Sequence, residues 1–181
     1  ADGEIMQAVL SKEVTFEGHY DPFTLYRALR LINPSPYMYF MNLGDFNIIG
    51  ASPEILVQSK QGKVTIRPIA GTRKRGINSS EDLLNKIDLI EDDKEKAEHM
   101  MLVDLARNDL SKVSTVGSVN VDEMMIVEKY SHVMHMTSNV IGQKKDESTA
   151  IDCMKAALPA GTLSGAPKIR AMDILDEQEN R

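Results

Sequence analysis

Two glutamates three residues apart, Glu95 and Glu98, stand in the segment DKEKAEHMMLVDLARNDL (93–110). On a helix at about 100° per residue they fall in the sector of Leu102, Val103, Leu105, Ala106 and Leu110, with Asp109 at its edge. Carboxylates on a buried side are costly unless protonation, a cationic side chain or a metal compensates them. Such a pair suits a hard divalent ion such as Mg2+, which takes one or two carboxylates and keeps positions for water and substrate oxygens. The same residues also lie near a helix start, where carboxylates complement the dipole. Both roles stay open at this point.

His135 lies in SHVMHMTSNV. Strand alternation puts it on one face with Val133, Thr137 and Asn139, and puts His132, Met134, Met136 and Ser138 on the other. Neighbours able to fix its tautomer suit a general acid or base; a structurally satisfied histidine is the alternative. PAGTLSGAPK (159–168) runs from a Gly-rich loop into a helix. Such a loop offers backbone N–H groups and hydroxyls to an anion, or simply makes a turn and a cap. It lacks the G-x-x-x-x-G-K-[ST] nucleotide pattern, and the chain has no G-x-S-x-G elbow. RPIAGTRKRG (67–76) holds the densest positive charge.

The elements that must position these residues follow from breaks and periodicity. Residues 4–16 suggest a helical turn running into a strand. Asp21-Pro22 opens a helix carrying Phe23, Tyr26, Leu29 and Ile32, and NPSP (33–36) stops it. Short strands are predicted over 37–43, 46–52, 54–60 and 63–69, joined by tight turns as an antiparallel meander. Helix follows from an N-cap at Ser79 or Ser80 to about Val113, with a break near 90–92. Strands over 118–127 and 130–142, a helix over 147–157 and a last helix from about Ala166 complete the chain. The predicted class is α+β, a mainly antiparallel sheet with flanking helices.

The 181 residues suffice for one domain with a core. No apolar run spans a bilayer and no signal-peptide pattern is present, so a cytoplasmic location is the default expectation. The single Cys153 rules out a disulfide framework and a cysteine metal cluster. A net charge of −6 argues against a nucleic-acid partner but leaves room for a local anion site. The eleven methionines read as core filler.

In order, the stretches EIMQAVLSK, NPSPYMYF, IGASPEIL, RPIAGTRKRG, DKEKAEHMMLVDLARNDL, SHVMHMTSNVIG and PAGTLSGAPKIRAMDIL resemble the chorismate-utilising enzymes over essentially the whole chain. The resemblance implies part of a two-lobed chorismate-binding fold and a dependence on Mg2+. It implies that Glu95 and Glu98 are Mg2+ ligands and that Glu54, in ASPE, is the acid that protonates the departing C4 oxygen. His135 stands beside the substrate and serves pyruvate elimination. Ala70, Gly71 and Thr72 line the chorismate site, leaving Arg73, Lys74 and Arg75 solvated or paired with the acidic helix region. Gly161 and Thr162 contact a substrate carboxylate, and Lys168 adds charge.

Two positions select a branch. Gln7 stands where isochorismate- and salicylate-forming members carry a lysine base, and Ala70 where aminodeoxychorismate-forming members read PIKGT. Both imply the anthranilate-forming branch, with ammonia from a glutamine amidotransferase subunit. The alternatives are the aminodeoxychorismate branch and a non-catalytic module binding tryptophan or a partner. Asn33, Pro34, Ser35, Pro36, Tyr37 and Met38 resemble part of a tryptophan feedback site. Family members run more than twice this length. Residues 1–181 are therefore expected to form an incomplete catalytic domain, without its N-terminal regulatory part and C-terminal end, and inactive alone.

Overall fold

The computed structural model describes residues 3–179. They form two compact units, residues 11–55 and residues 3–10 with 56–179. The larger unit starts with a two-residue strand, β1 (Gln7–Ala8), where a helical turn and a longer strand were predicted.

The smaller unit is a helix on a hairpin. Asp21 accepts the Thr24 N–H and Pro22 occupies the first turn of α1 (Pro22–Ile32), so helix entry follows the sequence signal. β2 (Tyr37–Asn42) and β3 (Asn47–Ser52) pair antiparallel. Phe23 meets Phe40 edge to face at 5.5 Å, and Tyr26 lies 6.0 Å from Phe40. This hairpin is a sheet of its own, which corrects the continuous meander. The predicted strand over 54–60 shrinks to β4 (Gln58–Lys60). The cause is local: Ser52 Oγ accepts the Glu54 N–H and donates to the Glu54 carbonyl, consuming groups a ladder would need.

The larger unit is built on a five-stranded antiparallel sheet. Gln61 and Gly62, both at positive φ, turn β4 into β5 (Lys63–Ile66). Pro68 ends β5, having no N–H to give the ladder, and β6 (Ile69–Lys74) resumes beyond it. β7 (Asn120–Lys129) and β8 (Val133–Gln143) complete the sheet. β8 is central: β5 and β6 pair in turn along one edge and β7 along the other. RPIAGTRKRG is thus mostly ladder, running past the end of the strand predicted over 63–69.

α2 (Ser79–Glu91) is capped by Asn78, one residue before the predicted caps. α3 (Asp93–Ser111) begins at Asp92, whose carboxylate accepts the Lys94 and Glu95 N–H groups. That cap is the predicted break. α4 (Ala150–Ala157) carries a Thr149/Asp152 capping box. The one-turn α5 (Gly161–Ser164) and β9 (Gly165–Ala166) lead into α6 (Lys168–Gln178). The core joins Val103, Ala106 and Leu110 of α3 to Val64 and Val140 of the sheet and Cys153 of α4. Burying Leu110 alone contributes about 1.5–3 kcal/mol. Met134 and Met136 are fully buried with Leu89 in a second cluster, but Met6, Met41, Met100, Met124, Met154 and Met172 are exposed, which corrects the reading of the methionines as core filler. No described helix is long and apolar enough to cross a membrane.

Candidate active site

One stripe of α3 carries Glu95, Glu98, Leu102, Leu105 and Asp109, spaced so that they lie along one side. Each position meets something different. Glu95 faces β6, where Arg73 Nη1 donates to its Oε1 at 3.3 Å. The same guanidinium binds Asp88 of α2 and, at 2.8 Å, the capping carboxylate of Asp92. Asp92 is held below the usual carboxylate range, first by the Glu95 N–H and next by Arg73. Arg73 therefore pairs with the acidic helix region, one of the two roles expected of it. Glu98, half-buried, has no hydrogen bond or ion pair among the described residues.

The backbone of β6 passes close to this carboxylate at Gly71. The pairing of β6 with β8 slips between Ala70 and Thr72, and Gly71 takes φ +65° in that irregularity. A Cβ here would lie 2.8 Å from Leu89 Cδ1 and 3.2 Å from Glu95 Oε2. The Gly71 carbonyl also accepts from His135 Nδ1 at 3.1 Å, and Thr72 Oγ1 lies 3.0 Å from the same nitrogen. A carbonyl only accepts, so Nδ1 carries the proton and Nε2 of the neutral ring keeps its lone pair. The Tyr130 ring meets the imidazole edge on at 5.5 Å. Ala70 sits half-buried opposite Met136. One glycine thus touches both the predicted metal carboxylate and the predicted acid–base histidine.

The Gly-rich loop packs on the same α3 stripe. A Cβ on Gly161 would fall 1.8 Å from Leu105 Cδ2, so only glycine lets α5 lie this close. Thr162 follows, half-buried. β9 pairs with β1, setting Gln7 opposite Ala166. Lys168 donates to Asp109 Oδ2 at 2.7 Å and to the Ala157 carbonyl at 3.2 Å, with only 12% of its side chain exposed. Asp109 also binds Lys112 at 2.9 Å. The Lys168 charge is spent on this buried carboxylate and ties α6 to α3. Glu54 and the Asn33–Met38 stretch belong to the smaller unit: Asn33 caps α1, and Tyr37 and Met38 open β2.

Two buried polar residues escaped the sequence reading. Asp82 of α2 binds Arg75, Lys129 and the Gly76 N–H; Arg75 first and Lys129 second hold its carboxyl well below the usual range. His99 of α3 is fully buried, with Nε2 2.7 Å from Ser138 Oγ, and burial pushes its pKa down to about 4. Its signal was legible: His99, Val103, Ala106 and Leu110 form one helical stripe.

Among the described residues no group of three or more His, Cys, Asp or Glu side chains is arranged to hold a metal. The pair Glu95 and Glu98 supplies two carboxylates. Glu98 has no cation beside it, and Glu95 Oε2 takes no hydrogen bond among the described residues. That donor set fits a hard ion that keeps several waters.

The whole chain, residues 1–181, matches the chorismate binding enzyme family, and it belongs to that family. Among curated proteins it is 57% identical over 177 residues to anthranilate synthase component 1 of Pseudomonas aeruginosa. It is 51% identical over 180 residues to the protein of that name from Aquifex aeolicus. It spans 36% of the length of each of these relatives. Of solved structures, anthranilate synthase component I from Streptococcus pneumoniae matches with TM-score 0.79 and 52% identity, over 90% of this chain and 35% of that one. A putative 2,3-dihydroxybenzoate-specific isochorismate synthase from Bacillus anthracis matches with TM-score 0.74 and 26% identity, over 91% of this chain and 45% of that one.

Proposed function

We propose that this chain is the part of an anthranilate synthase component I that carries the carboxylate pair and the acid–base histidine. The full-length protein then converts chorismate and ammonia to anthranilate and pyruvate, in the tryptophan pathway and in the cytoplasm. The observation that carries this reading is the junction at Gly71, where Glu95 and His135 meet one residue. Bound at Glu95 and Glu98, Mg2+ supplies positive charge for a substrate carboxylate.

Glu54 protonates the C4 hydroxyl as it leaves C4, while ammonia forms the new bond at C2. His135, with its Nδ1–H fixed on the Gly71 carbonyl, takes the C2 proton at Nε2 as the C3–O bond breaks and pyruvate departs. Gly161 and Thr162 hold a substrate carboxylate. Ala70 and Gln7 leave no ammonium group at the reacting carbons, which suits ammonia delivered by a glutamine amidotransferase subunit. Tryptophan acts as feedback inhibitor at a site that includes Asn33–Met38.

The test is product analysis of the full-length protein with chorismate, ammonium and Mg2+. Equal amounts of anthranilate and pyruvate are expected. Release of an aminated chorismate that retains its enolpyruvyl group would overturn the assignment in favour of the aminodeoxychorismate branch.

A further inference from the structure

The two carboxylates are anchored differently. Glu95 is held directly, by Arg73 on its Oε1. Glu98 has no partner of its own among the described residues, so its direction is set by how α3 is turned. The adjacent residue, His99, points about 100° away around the helix and is fully buried against the sheet. Its Nε2 meets Ser138 Oγ at 2.7 Å, while its Nδ1 is buried without a partner, so Ser138 is the ring's whole polar attachment among the described residues. Ser138 is fixed in turn: its Oγ accepts the Met125 N–H at 2.9 Å, where β7 bulges and Met125 takes φ +52°.

We infer that His99 is a positioning residue for Glu98: its bond to Ser138 locks the rotation of α3 on β8 and so aims a metal-binding carboxylate that no hydrogen bond or ion pair among the described residues holds. The inference rests on the reading of Glu98 as a metal ligand. A buried imidazole needs a polar partner, and with Nδ1 bare the ring relies on Ser138 alone, so that one bond fixes where this turn of α3 sits on β8.

The experiment uses the full-length enzyme and Mn2+ as the probe, with free ion counted by electron paramagnetic resonance and folding checked by circular dichroism. His99→Gln can still reach Ser138 and is expected to bind Mn2+ within about twofold of the wild type, whereas His99→Leu loses on the order of tenfold, as outer-shell changes do. Ser138→Ala, which keeps the volume, shifts affinity the same way and decides the matter if His99→Leu does not fold. A folded His99→Leu or Ser138→Ala protein with wild-type Mn2+ affinity overturns the inference. Glu98→Gln is the separate control: unchanged Mn2+ binding there removes the metal reading itself, and the inference with it.

Discussion

At the scale of single residues, Gly71 is the most constrained position. Its φ of +65° excludes most side chains, and a methyl group would meet Leu89 at 2.8 Å. Gly71→Ala is expected to destabilise the full-length protein by about 1–3 kcal/mol, measured by urea titration, and to displace Glu95. Asp82 supplies a pH signature. Its folded pKa is depressed, so the unfolded chain binds its proton first as pH falls. The stability it contributes is complete above about pH 4 and drains away below it. Acid titrations followed by circular dichroism should show a shallower loss below pH 4 in Asp82→Asn, from a less stable start. Placement at this scale was partly legible. Glu95 and Glu98 announced themselves as carboxylates in an apolar sector, and His135 by its place in an alternating strand. Asp82 did not, because its three partners lie at 75, 76 and 129, and no local pattern links them.

At the scale of elements, helix ends were readable because their causes are local. Asp21-Pro22 and the Asp92 break both rest on a side chain bonding a backbone group within three residues. Strand pairing was not, because β8, beside its sequence neighbour β7, takes β5 and β6 from a distant part of the chain. The sequence pattern favoured neighbours and produced a meander that the sheet does not have. Lys168 shows a similar limit: its charge was visible, but not the buried Asp109 that receives it. Lys168→Met is expected to cost about 1–3 kcal/mol. That is less than the about 3–5 kcal/mol of a fully orphaned buried charge, because Lys112 stays on Asp109. Thermal denaturation of Lys168→Met beside Lys112→Met measures the division.

At the scale of the whole molecule, the order of strands and helices indicated the class, and a few side chains carry the proposed branch. An acidic chain carrying one basic strand keeps that charge for itself: Arg73 and Arg75 are consumed by Asp88, Asp92, Glu95 and Asp82. The proposed reaction turns instead on small or neutral residues. Ala70→Lys in the full-length protein puts an ammonium where ammonia must arrive, and anthranilate formation is expected to fall by at least about tenfold, a loss of about 1.4 kcal/mol of transition-state stabilisation, with folding intact. Fluorescence assay of anthranilate checks it; near-wild-type turnover would remove Ala70 from the specificity argument.

The pairing of β1 with β9 has a bearing on biosynthesis. Met6 and Val9 donate backbone hydrogen bonds to the carbonyls of Ala166 and Ser164, almost the full length of the chain away. Such a distant closure is among the slowest contacts to form. The Gly-rich loop is therefore clasped only after residues 164–166 have been made, when Met6 and Val9 pair with them. Until then the nascent chain can fold its sheet while the loop stays unclasped, and the amide protons of Met6 and Val9 are the natural clock for that last step.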